Sequence, residues 1–468
     1  MEKLNEIIGG INSVLYFPIL VILLIAVGIY FTIRTGFIQV SLLKEAFKVI
    51  KEKPDDKSDV SSFQALMIST ASRVGTGNIV GVSSAICLGG YGAVFWMWLV
   101  AIIGSASAFA ESTLAQMYKK KGKQSSYGGP SYYIEEGLKS RKLGVIFSIA
   151  LIVCYAVGFN MLASYNLQQS FNSYSIYNPN ITPKIIGLIF AVAVAIVILG
   201  GGKRIIKITQ SLVPFMGIIF VLVSLIMIGI NITRIPEVFR KIIEDAFNFK
   251  AIFSGFAGSS MILGMKRGLY SNEAGIGSAP NAAASAKVSH PVKQGLVQMI
   301  SVFIDTLIIC SSTAFMGLSS GVVPSPELDG SPFIQEALAS VFGNFGFYFI
   351  TASLVLFGFT TFIGNLYYVD SNFDYLLGKE LEEKQRIPYR IIAVLLIFLG
   401  AIQEQSFVWN LADLFMGIMA LINLPTIVIL SNKLMACLKD YKKQIKKGKD
   451  PVFISKNIGM TENLDYWK

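Results

Sequence analysis

Residues 72–78 read SRVGTGN, in the middle of an apolar run that starts near Phe63 and continues past Ile86. An arginine, two glycines and an asparagine inside a run of that length decide how the rest of the chain is read. The sequence is 53% hydrophobic with a mean hydropathy of +0.60 and only 15% charged residues, against about 25% charged in an ordinary soluble domain. It therefore reads as an all-α integral membrane protein. Inside a bilayer every backbone group must be hydrogen-bonded, so a glycine-rich break is tolerated only where it is buried in protein or lines a cavity. Gly75 and Gly77 permit an unwound turn that leaves the amides of Thr76, Gly77 and Asn78 free at the start of a second half-helix. Such an N-terminus suits a carboxylate, and carbonyls released from the preceding half suit a cation. GTGNIVG does not fit G-x-G-x-x-G and has no strand before it, so it is not read as a dinucleotide loop.

A second break, SNEAGIGSAPN, lies about 200 residues later at 271–281. Apolar segments long enough to cross a membrane are placed at 13–33, 62–88, 93–118, 143–173, 184–200, 206–230, 251–285, 293–319, 344–369, 388–403 and 407–431, about 11 in all. With the first set aside, the rest form two groups of five, each beginning with an interrupted helix. Paired discontinuous helices point to the midplane site of a secondary transporter, although one glycine-rich helix alone could serve close packing. The chain divides into an N-terminal helix and connection (1–60), a transporter core (61–432, repeats about 61–230 and 251–432) and a basic tail (433–468).

The net charge of +11 is not a nucleic-acid signal, because the basic residues cluster between alternate apolar segments. Arg34–Lys57, Lys119–Lys123 with Lys139–Lys142, Lys203–Lys207, Lys287–Lys293, Lys379–Arg390 and the tail are expected to face the cytoplasm, placing the N-terminus outside and the C-terminus inside. The tail is expected to rest on anionic headgroups. Cys87, Cys154, Cys310 and Cys437 lack metal-ligand spacing and read as packing residues. His290 is the only histidine and reads as structural. H-E-x-x-H does not occur, and an enzyme is not expected. YGGPSYYIEEGLK (127–139) and SPFIQEALASVFG (331–343) read as surface helices, either capping a transporter mouth or lying at the interface.

Ionisable residues within spans are functional candidates: Arg73, Glu111, Glu273, Asp305 and Asp413, with Lys266 and Arg267 just before the second break. Arg73 and Glu273 occupy equivalent ends of the two breaks, and an ion pair between them is expected. Pairing with loop lysines or helix capping near the interface is the alternative for Glu111, Asp305 and Asp413.

The runs RVGTGNIVGV, GAVFWMW, AESTLAQMY, YGGPSYYIEEGL, GLYSNEAGIGSAPNAAASA, SHPVKQGLVQM and FIDTLIICS together resemble the alanine or glycine:cation symporter family, from about residue 10 to 435. The resemblance implies a leucine-transporter fold of five plus five inverted helices with one extra helix in front. It also implies sodium-coupled symport of small neutral amino acids across a prokaryotic inner membrane. VGTGN, 74–78, is similar to the V-G-x-G-N of neurotransmitter:sodium symporters. By that similarity the amides of Thr76 and Gly77 hold the substrate carboxylate, and sodium is held by the carbonyls of Ala71 and Val74 with the hydroxyls of Thr360 and Thr361. The ammonium would lie near carbonyls of Ser271, Asn272, Glu273, Ala274 and Gly275, with Gly277 in the same break. The substrate side chain would meet Ile276, Ala163 and Asn365. Two departures affect substrate choice: TTFIGN carries Asn365 where many members have tryptophan, and Ala163 replaces a common glutamine. Proton coupling or a different substrate such as glutamine is the alternative, and a non-transporting membrane receptor a more remote one. The expected partners are a small neutral amino acid, sodium and the lipid bilayer, with a monomeric assembly and no cofactor.

Overall fold

In the computed structural model, residues 2–53, 56, 59–122, 125–248, 259–460 and 464–467 are described. The start of the seventh predicted segment (251–258) and the cluster ends Lys57, Lys123 and Lys468 lie outside them. Among the described residues the regular structure is helical, apart from one isolated bridge between Lys120 and Tyr127.

Helices occupy all eleven predicted segments: α1 (Glu2–Arg34), α2 (Ser62–Arg73) with α3 (Gly77–Gly89), α4 (Ala93–Met117), α5 (Arg141–Gln169), α6 (Thr182–Ile198), α7 (Gly202–Ile230), α8 (Ser260–Asn272) with α9 (Ala279–Ser285), α10 (Pro291–Ser319), α11 (Asn344–Leu377), α12 (Glu383–Ala401) and α13 (Gln405–Ile429). Seven of these are long and apolar enough to cross a membrane. The two expected interruptions are present, and α1 is also broken, at Phe17 (φ −123°, ψ 120°) ahead of Pro18. Pro130–Leu138 and Ser331–Phe342 form short helices that bury Tyr133, Ile134, Phe333 and Ile334, so they are packed into the molecule and are not simply interfacial.

Local chemistry sets the helix starts. Ser61 and Gln64 form a reciprocal capping box ahead of α2. The Ser259 hydroxyl caps α8. His290 caps α10, its Nδ1 accepting the Val292 N–H at 3.2 Å, as the structural reading of that residue expects. All four cysteines are free and buried. The outward faces of α6 and α7 expose Ile185, Leu188, Ile189, Val192, Leu222 and Ile226, a lipid-facing pattern. α4 runs through the interior, against α1 on one side and α8, α9 and α10 on the other. α11 crosses α2 so closely that a Cβ on Gly364 would lie 2.7 Å from the Ser72 nitrogen and 3.1 Å from the Ala71 carbonyl carbon.

The tail does not merely rest on headgroups. α14 (Ser431–Lys446) buries Leu434, Cys437, Leu438 and Tyr441, and the chain beyond it buries Phe453, Leu464 and Trp467. These apolar anchors, dispersed among lysines, dock the tail on the basic face of the protein.

Candidate functional site

The two breaks meet. Around Gly75, Thr76 and Gly77 lies a cavity completed by Ser72, Arg73, Phe159, Tyr270, Glu273 and Thr361, with about 10 Å³ of free space, about room for one water. The breaks are therefore nearly closed upon each other.

The first break is short. Val74 leaves the helix (φ −76°, ψ 86°), and the freed Gly75 N–H is accepted by Asn78 Oδ1 at 2.7 Å. Asn78 is held in turn by donation from its Nδ2 to Asp305 Oδ1 at 2.7 Å. The glycines here answer to neighbours: a Cβ on Gly75 would fall on the Thr361 hydroxyl, and one on Gly77 would lie 2.6 Å from the Tyr270 ring. Tyr270 is wedged there by Phe159 and Trp409, with ring centroids 4.9 and 5.2 Å away. Trp409 carries the Arg267 guanidinium at 3.6 Å, and Asp413 pairs with Lys266 and Arg267 at 2.7 and 3.2 Å. Asp413 thus binds residues of the broken helix and no loop lysine.

The second break is longer and uses left-handed backbone at Glu273 (φ 53°), Gly275 (φ 85°) and Gly277 (φ 87°). Its polar groups are matched from distant helices. Glu111 Oε1 accepts the Gly275 N–H at 3.3 Å, and Asn423 Nδ2 donates to the Gly275 carbonyl at 2.9 Å and to Glu111 Oε2 at 2.7 Å. Glu111 is therefore part of the support of the break and does not pair with a loop lysine. Glu273 joins the two breaks, accepting Ser72 Oγ at 2.9 Å and Ser278 Oγ at 2.6 Å.

The expected Arg73–Glu273 ion pair does not form. Both side chains line the cavity, but the guanidinium reaches α10, donating to the Gln298 carbonyl at 3.4 Å and to the Ser301 hydroxyl. α10 offers acceptors along the path of the arginine, while the Glu273 oxygens are taken by serines.

Of the predicted substrate residues, Arg73, Gly75, Thr76, Gly77 and Glu273 line the cavity, and Asn78, Ser271, Asn272, Gly275, Ile276 and Gly277 do not. Ser271 donates to Asp305 Oδ2 at 2.8 Å, and Asn272 Oδ1 accepts the Ala274 N–H at 3.0 Å. Ala163 and Asn365 do not line the cavity. Asn365 reaches the cavity only through Ser72: its Oδ1 lies 2.7 Å from the Ser72 hydroxyl and shares that single O–H with Glu273, while its Nδ2 donates to Asn160 at 2.9 Å. Of the predicted sodium ligands, Thr361 faces Gly75 and the Ala71 backbone lies beneath α11. The Val74 carbonyl sits at the unwound turn. Thr360 and Thr361 both bond back to their own helix, donating to the Phe357 carbonyl at 3.0 and 2.9 Å, and the Thr360 hydroxyl also lies 3.7 Å from the Met216 sulfur. Ser72, Phe159 and Tyr270 are additional cavity residues; Ser72 was legible only as a polar neighbour of the first break.

The sequence profile of the sodium:alanine symporter family matches residues 1–455. The chain belongs to the sodium:alanine symporter family. It is a multi-pass membrane transporter and not an enzyme. Among its relatives, a probable sodium/glutamine symporter GlnT of Bacillus subtilis is 43% identical over 468 residues, covering 100% of this chain and 96% of the relative. The sodium/alanine symporter AgcS of Methanococcus maripaludis is 37% identical over 454 residues, covering 94% and 98%. Among solved structures, MhsT in complex with L-phenylalanine superposes with a TM-score of 0.57 at 14% identity, over 80% of this chain and 89% of that one. A manganese transporter mutant of Eremococcus coleocola gives 0.56 at 12% identity, over 83% of each chain. These matches establish a leucine-transporter-like fold for this family member.

Proposed function

We propose that this transporter couples sodium entry to the uptake of a small neutral amino acid, alanine or glycine, across a prokaryotic inner membrane, with its basic face in the cytoplasm. The observation that carries the reading is the meeting of two helix breaks at one small cavity. Sodium binds to the Ala71 and Val74 carbonyls with Thr360 and Thr361, fixing α2 against α11. The substrate carboxylate then takes the amides of Thr76 and Gly77, where the positive end of α3 favours an anion. The ammonium lies toward Glu273 and the backbone of the second break. Occupancy of both sites favours closure because each ligand binds the closed arrangement better than the open one. A tenfold sodium gradient supplies about 1.4 kcal/mol and 100 mV about 2.3 kcal/mol per charge, so one ion supports roughly 500-fold accumulation.

A second reading, glutamine as substrate, is favoured by Asn365 beside Ser72 and by the similarity to GlnT. Uptake by purified protein in sealed liposomes, with radiolabelled alanine, glycine and glutamine under imposed sodium or proton gradients, tests both. Sodium-driven accumulation of alanine or glycine is the expected result. Accumulation of glutamine alone, or dependence on protons, overturns the substrate or the ion assignment respectively.

A further inference from the structure

The C-terminal chain makes contacts that transport at the central cavity does not require. α9 ends at Ser285, and its last carbonyls have no partner within the helix. They are bound from outside: Gln116 Nε2 donates to the carbonyls of Ala283 and Ala286, Lys119 Nζ to that of Ala286 at 2.9 Å, and Ser126 Oγ to that of Ala284 at 2.7 Å. The inner end of the second broken helix is thereby clamped to the end of α4.

The tail covers this clamp. The Trp467 indole N–H donates to the Gln116 backbone carbonyl at 2.7 Å. Lys119 lies under the rings of Tyr466 and Trp467, 4.4 and 5.1 Å from their centroids, and is 1% exposed. Described residues earlier in the tail are anchored nearby. Asp450 pairs with Lys293 at 2.9 Å, the Phe453 N–H donates to the Ser289 carbonyl at 2.9 Å, and the Phe453 ring lies between His290 and Trp467 at 5.1 and 5.5 Å. The Ser455 N–H then binds the Trp467 carbonyl at 3.1 Å, closing the loop. The His290 ring, with Nδ1 accepting the Val292 N–H and Nε2 facing the Asp440 carboxylate at 3.4 Å, packs against Phe453 and Tyr441, and burial, followed by the nearby Lys293 charge, lowers its pKa.

We infer that the C-terminal segment is a latch: docked over the ends of α4, α9 and α10, it holds the basic face of the transporter closed, and its release lets that face open. Opening on this side requires the α9 end to part from its neighbours, and the latch is fastened across that seam. It is built to detach. Beyond Lys446 its regular structure among the described residues is a single turn, Ser455–Ile458, and its hold rests on a few aromatic and charged side chains. The inference rests on the alternating-access part of the proposed function and not on the choice of substrate or ion.

The test uses the full-length protein in liposomes with Ser285→Cys as reporter. Ser285 is buried at the α9 end, and the four native cysteines are buried. Labelling by a membrane-impermeant maleimide is measured from the side bearing the C-terminus. Tyr466→Ala with Trp467→Ala is expected to raise the labelling rate about tenfold, equivalent to about 1.4 kcal/mol of bias, at an unchanged melting temperature. Trp467→Phe, which removes the N–H and keeps a ring over Lys119, is expected to give a smaller rise. Unchanged labelling in the double variant, or a rise matched by a fall in melting temperature, would show that the tail is only a brace. Ending the chain after Lys446 should reproduce the double variant; if that shortened chain does not assemble, the point variants decide. The readout needs no transported substrate, so a failed alanine or sodium assignment leaves it intact.

Discussion

The two breaks are written in similar letters and built on different physics. In the first, neither Gly75 nor Gly77 has a left-handed φ; both are glycine because Thr361 and Tyr270 occupy the space a side chain would need. In the second, Gly275 and Gly277 are glycine on two counts: their backbone is left-handed, and a Cβ would lie 2.7 Å from Leu424 or 2.8 Å from Phe147 and Pro130. Crowding by other helices is common to both breaks, and the second adds a conformational requirement set within the chain itself. Their polar supports differ as well. The first is held locally, by Asn78 three residues on. The second adds to its local bonds at Asn272 and Ser278 a hold from far away, by Glu111 and Asn423.

The largest expected effect follows from the crowding at Gly75. Gly75→Val drives a branched side chain into Thr361, and the expected outcome is loss of substrate binding and uptake in protein that still inserts and elutes as a single species. Normal uptake would remove the first break from the site.

Next come the two kinds of glycine. Gly275→Ala should cost about 1–3 kcal/mol through backbone strain, and adding Leu424→Ala, which clears the nearest side chain, should not restore the melting temperature. Gly77→Ala should cost about 1–3 kcal/mol through overpacking, and adding Tyr270→Leu should recover part of it. Rescue at both positions, or at neither, would erase the distinction drawn between the breaks.

Smaller effects test the supports. Glu111→Gln and Asn423→Ala should each destabilise by about 1–3 kcal/mol by leaving buried partners unsatisfied. Their double variant should fall short of the sum, since both act on Gly275 and on each other. Asn78→Ala should cost a similar or smaller amount, because its contact with the Gly75 N–H is local, and thermal unfolding of the purified variants would rank them. Strict additivity of Glu111→Gln and Asn423→Ala would argue against a shared support.

Much of this was legible in the chain. Membrane-length apolar runs stand out because a bilayer admits few charges, and the breaks stand out because glycine and polar residues are costly in such runs. The site was legible where it is made of backbone: glycine spacing locates unwound turns without any knowledge of neighbours. It was illegible where it is made of contacts. With 33 phenylalanines and 19 tyrosines, nothing local marks Phe159 and Tyr270 as the two rings at the cavity. Arg73 and Glu273 invited pairing by symmetry of position, yet the guanidinium found acceptors on α10 and the carboxylate found two serines. The tail misled by composition, since its lysines hide the anchors Phe453 and Trp467.

The sequence by itself determined that the chain is a membrane transporter with two broken helices, because hydropathy and glycine placement are properties of each segment alone. Which side chains complete the cavity, why each glycine is required, and how the tail comes to lie over α4, α9 and α10 were decided only in the tertiary structure. Those outcomes depend on distances between residues hundreds of positions apart, and only packing sets those distances.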